Sequence, residues 1–107
     1  LVRVTLRYLV DDLGYPPERV ILEPVNEPDL PCGGDPSVAC FWSGVDFEAL
    51  VAVIQAARRE ADAVSPRIRL AGLALCCTPG LLERFLQEPQ RAALLDILTY
   101  HDYTGGY

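Results

Sequence analysis

Between Phe47 and Val64 the apolar residues Phe47, Leu50, Val51, Ile54, Ala57, Ala61 and Val64 recur at intervals of three and four, so a helix gathers them into one stripe. Asp46 stands where its N-cap belongs, and Ser65 and Pro66 stop it. Such a stripe must be laid against a partner, and the flanking segments have the pattern of one. Val20, Ile21 and Leu22, and then Ile68 to Leu75, are short continuous apolar runs of the kind found in strands covered on both faces. A helix joining two such strands is the crossover that parallel pairing requires.

The same alternation runs through the whole chain. Val2, Leu6, Leu9 and Leu13 keep helical spacing until Gly14, after which Tyr15, Pro16 and Pro17 end the helix. Beyond the second strand, Thr78 and Pro79 offer an N-cap and a first-turn proline for a helix through Glu88, which Pro89 breaks. A shorter helical piece over 90–94 leads to a third strand, Leu95 to Tyr100. The order helix, strand, helix, strand, helix, strand predicts an α/β fold of repeated βα units on a parallel sheet. A doubly wound sheet usually carries G-x-G-x-x-G after its first strand, and no strand here is followed by one. Instead the residues capable of chemistry gather just after strands: Asn26 and Glu27, the pair Cys76 and Cys77, and His101 with Tyr103. In a (β/α)8 TIM barrel all these strand ends open on one face. A full barrel takes about 250 residues, so 107 residues with three strands read as a fragment of a single barrel, beginning at Leu1 inside a helix and containing no Met.

Composition removes several functions. Fifteen acidic residues against nine basic ones give a net charge of −6, the wrong sign for nucleic acid or an anionic membrane surface. The longest apolar run, Leu70 to Cys77, is far short of the roughly 20 residues that cross a bilayer, and no signal-like segment opens the chain. Every basic residue is Arg, which leaves no lysine for imine chemistry or a phosphate loop. Cys32, Cys40, Cys76 and Cys77 form no C-x-x-C pair, and with one His a closed zinc site is not offered; no metal or cofactor is expected. Cys32 and Cys40 bracket a Gly- and Pro-rich loop, either as a disulfide in an oxidising, secreted setting or as two thiols. Adjacent Cys76 and Cys77 point opposite ways, one buried and one partly exposed.

Glu27 emerges from an apolar strand beside Asn26, where a low dielectric favours the protonated carboxyl that general-acid work needs. The plainer reading is a turn in which Asn26 and Pro28 end the strand and Glu27 is solvated. His101 and Tyr103, two apart, share one side of their strand; the plainer reading makes them a structural histidine and a core aromatic. Glu23 reads as a buried structural carboxylate paired with an arginine.

Taken together, Glu23-Pro24-Val25-Asn26-Glu27-Pro28-Asp29-Leu30 resembles the E-x-W-N-E-P-N-L segment of family 39, the xylosidase-like members of glycoside hydrolase clan A. Phe41 and Trp42, a helix, and an apolar strand carrying Ala71 and Gly72 come after it in the same order. Asp96-Ile97-Leu98-Thr99-Tyr100-His101-Asp102-Tyr103 then resembles the D-F-x-x-x-H-x-Y sixth strand of that clan. The resemblance runs from about the third helix to the sixth strand of a barrel and covers essentially the whole chain. It departs at Pro24 and Val25, where the pattern has an apolar residue and Trp.

The resemblance implies a retaining glycoside hydrolase acting on β-linked oligo- or polysaccharides without a cofactor, the remaining barrel strands of the parent chain being its partners. Glu27 would be the acid/base, and Asn26 would hydrogen-bond the sugar 2-hydroxyl. His101 and Tyr103 would lie beside the sugar and the nucleophile, and Trp42 would be a stacking platform or an apolar plug under its loop. The clan's nucleophile is a Glu after the seventh strand, beyond Tyr107, so these residues alone are expected to be inactive. Two alternatives remain: a carbohydrate-binding barrel that has lost its nucleophile, and, more weakly, a metal-dependent barrel hydrolase using His101 and Asp102.

Overall fold

The computed structural model describes residues 1–29, 47–76 and 78–101. Trp42, Asp46, the Cys32 and Cys40 loop, Cys77, Asp102 and Tyr103 lie outside them. The first helix, α1 (Val2–Arg7), continues into a wider π-helical turn over Tyr8–Asp12. A 3-10 turn at Pro17–Arg19 precedes β1 (Ile21–Leu22). Then come α2 (Phe47–Asp62), β2 (Arg69–Leu75), α3 (Pro79–Leu86), α4 (Pro89–Ala92) and β3 (Ile97–Tyr100). The three strands form one parallel sheet in the order β1-β2-β3. Among the described residues the expected α/β alternation is therefore present, as an open sheet with four α-helices.

The stripe of α2 is buried as its spacing requires: Phe47, Leu50, Val51, Ile54, Ala57 and Ala61. The first five join Val25, Leu70, Leu73, Leu75 and Phe85 in the main core, so α2, β2 and α3 share one apolar interior. β2 is buried at every position from Leu70 to Leu75, which is why its sequence lacks alternation. A Cβ on Gly72 would lie 3.3 Å from Leu95 Cδ2 and 3.7 Å from Ile54 Cδ1, so the missing side chain lets α2 and the α4–β3 connection close over the strand. A second cluster, Leu6, Val20, Ala61 and Ile68, seats α1 on the last turns of α2.

Three local expectations change. Helical spacing puts Leu13 on the α1 stripe, yet it is exposed, while Val10 packs against the second cluster. The bond from Leu13 N–H to the Tyr8 carbonyl spans five residues, and this wider turn rotates the next residues away from 3.6-residue spacing. Gly14, at φ +72°, then ends the helix. Thr78 occupies the N-cap of α3 without a side-chain capping bond, and Pro89 starts α4 as well as ending the helix before it.

Candidate active site

Glu27 lies beyond β1 and His101 beyond β3, on either side of the central strand. Although 74 residues apart in sequence, they meet side by side, His101 Nδ1 lying 2.6 Å from Glu27 Oε1. Both side chains are largely shielded, Glu27 at 16% and His101 at 34% exposed, so the pair is held in a partly desolvated setting. The backbone fixes both ends: His101 N–H donates to the Leu75 carbonyl at 2.8 Å, and Glu27 N–H donates to the Ala74 carbonyl at 2.9 Å.

Glu27 has φ +46° and Ala74 has φ +50°. For residues with a Cβ this left-handed conformation costs about 1–2 kcal/mol each and persists only where surrounding contacts over-determine it. The cause at Ala74 is a bulge. Leu73 pairs with Thr99 and Leu75 with Tyr100, leaving Ala74 with no position in the β2–β3 ladder. Its N–H donates instead to Thr99 Oγ1 at 3.1 Å, and its carbonyl accepts from Glu27. Two strained residues are thus bonded to each other at the strand ends.

Asp29 is the buried carboxylate of the site, 7% exposed. Its Oδ1 accepts from Cys76 N–H at 2.9 Å and its Oδ2 from Thr78 N–H at 2.6 Å, tying the segment after β1 to the segment after β2. Glu23 is exposed rather than buried, and its described partner is the Thr99 hydroxyl rather than an arginine. The physical reason is the short β1: the chain leaves the sheet after Leu22, so Glu23 already stands at its rim.

Of the residues singled out from sequence, Glu27 and His101 are brought together; Asn26 is exposed beside Glu27; Tyr103 and Trp42 lie outside the described residues. Cys76 is half-buried. Among the described residues no three His, Cys, Asp or Glu side chains converge as a metal site needs. Sequence reasoning does not find Asp29, Ala74 and Thr99 as site residues. A period of two counted back from His101 places Thr99 on the same side of the strand, and this is the available signal. The bulge at Ala74 has none. Chemically, the arrangement offers one carboxyl group whose rotation is fixed by an imidazole, on backbone held rigidly at the rim of a parallel sheet. No protein-family model matches this sequence, and no curated protein sequence matches it.

Proposed function

We propose that this chain forms the acid/base side of the active site of a retaining glycoside hydrolase of the clan A kind, on a (β/α)8 barrel to which it contributes three strands. The supporting observation is the 2.6 Å contact between Glu27 and His101 at one end of the parallel sheet. Two motifs that resemble strand ends of such enzymes, one strand apart, meet at the same end of the sheet, as a barrel site would require. Ile21, Leu98 and Tyr100 on the edge strands are exposed apolar residues, a surface that further strands and their side chains would cover.

In this reading Glu27 protonates the glycosidic oxygen as the leaving group departs and later takes a proton from the water that releases the sugar. His101 holds the carboxyl in one orientation through Oε1. Asn26, exposed next to it, hydrogen-bonds the sugar 2-hydroxyl, and Tyr103 and Trp42 contribute sugar contacts. The nucleophile is a second carboxylate about 5–5.5 Å from Glu27, supplied by the barrel outside this chain.

The test uses the intact protein. Glu27→Ala should slow glycosides with poor leaving groups by about 10²–10⁴-fold, while activated aryl glycosides, which need no proton donor, lose much less. Azide should restore turnover of the activated substrates by attacking the glycosyl-enzyme. Equal loss on both substrate classes without rescue would overturn the assignment and leave Glu27 a structural residue.

A further inference from the structure

The bulge at Ala74 links Glu27 to two residues that take no part in the acid/base assignment. A bulged residue buried in a sheet leaves one N–H and one carbonyl without ladder partners, and both must be satisfied. Ala74 is fully buried, with 0% exposure, so water does not supply them. Its N–H goes to Thr99 Oγ1 and its carbonyl receives Glu27 N–H. Thr99 is thereby committed: a hydroxyl has one proton to give, and having accepted from Ala74, it donates that proton to Glu23 Oε1, 2.5 Å away. The order is fixed from end to end, from Glu27 N–H to Ala74 carbonyl, and from Ala74 N–H through the Thr99 hydroxyl to the Glu23 carboxylate.

We infer that Thr99 and Glu23 are positioning residues for Glu27, holding the bulge at Ala74 whose carbonyl keeps Glu27 in its left-handed conformation and so within reach of His101. The inference rests on the glycosidase reading for its purpose but not for its geometry. Glu23 and Thr99 bridge β2 one step before Glu27 and His101 bridge it: the two glutamates are four positions apart, and Thr99 and His101 two. The two cross-strand pairs form successive rungs over the same strand. Losing the first releases the carbonyl that anchors the second.

Nuclear magnetic resonance of the protein tests this without turnover, through amide exchange at Glu27 and the ring nitrogen shifts of His101. Thr99→Val keeps the shape but offers Ala74 N–H no acceptor. Exchange at Glu27 should rise at least about tenfold and the His101 ring signals should move, while the Leu70 amide, bonded to Asp96 at the opposite end of β2, keeps its protection. Thr99→Ser should restore the wild-type pattern. Glu23→Ala, at an exposed position the fold tolerates, should raise Glu27 exchange about threefold and guards against a Thr99→Val protein that does not fold. Unchanged Glu27 exchange and unchanged His101 signals in either folded variant would overturn the inference. If the signals move but Glu27→Ala has no effect on glycoside turnover in the intact protein, the positioning stands and the glycosidase reading falls.

Discussion

The two ends of β2 solve the same problem in opposite ways. At its start, Asp96 Oδ2 accepts from Leu70 N–H at 2.8 Å and from Arg58 at 3.0 Å, and Arg58 also donates to the Ile68 carbonyl and pairs with Asp62. The backbone there is regular, and one guanidinium on α2 closes the entries to β2 and β3 together; its Nε alone finds no acceptor among the described residues. At the far end, two residues sit at positive φ, the ladder bulges, and side chains from beyond the outer strands meet above the central one. Regular geometry with an Arg–Asp clasp is what stability alone asks for. Strained geometry that presents a carboxyl group to a histidine costs stability, and it persists only because the surrounding bonds over-determine it.

Variants can separate the two ends. The largest stability effect is expected from Asp29→Ala at the strained end, because it leaves Cys76 and Thr78 N–H without their acceptor beside a buried cavity; a loss of about 3 kcal/mol in denaturant unfolding is expected, along with loss of the Glu27 and His101 pairing. Asp96→Ala should cost less, about 2 kcal/mol, since its carboxylate is half exposed though the Leu70 amide is buried. Its distinguishing result is that the His101 ring signals stay as in the wild type. If they move, the two ends are coupled through β2 and the contrast between them fails.

The smallest effect has the opposite sign. Ala74→Gly removes the Cβ that penalises φ +50°, and should stabilise the protein by about 0.5–1 kcal/mol, less the entropy that glycine adds to the unfolded chain. A destabilisation of similar size would mean that Ala74 is not strained in solution and that the bulge carries no stored cost. Leu73→Gly, one residue earlier in the same fully buried strand, is the control: it should destabilise through the cavity it opens.

Much of the fold is legible in the sequence because it rests on spacing. The α2 stripe, the unbroken apolar run of β2 and the proline at the start of α3 are local patterns that any packed arrangement must respect, and the six stripe residues that lie within α2 are all buried. The departures lie where geometry is not periodic. The π-helical turn that exposes Leu13 is a five-residue closure that the regular spacing of α1 does not encode. At the site, Glu27 and His101 can be named because each stands just beyond a strand of the same sense. Asp29 directly follows Asn26-Glu27-Pro28, yet its role depends on two amides nearly fifty residues away.

What the sequence determined by itself is the alternation of strand and helix, the parallel sense of the strands and the gathering of polar residues after them. These come from hydrophobic period and chain connectivity, which are properties of short windows and of order along the chain. The tertiary structure alone decided that Glu23 bonds Thr99 rather than an arginine, that Ala74 bulges, and that Glu27 takes a left-handed conformation against it. Register between strands is a long-range property: a slip of one residue changes which side chains face one another without altering any local pattern. The pairing of Glu27 with His101 resides in that register, since it brings a carboxyl group and an imidazole 74 residues apart to within 2.6 Å.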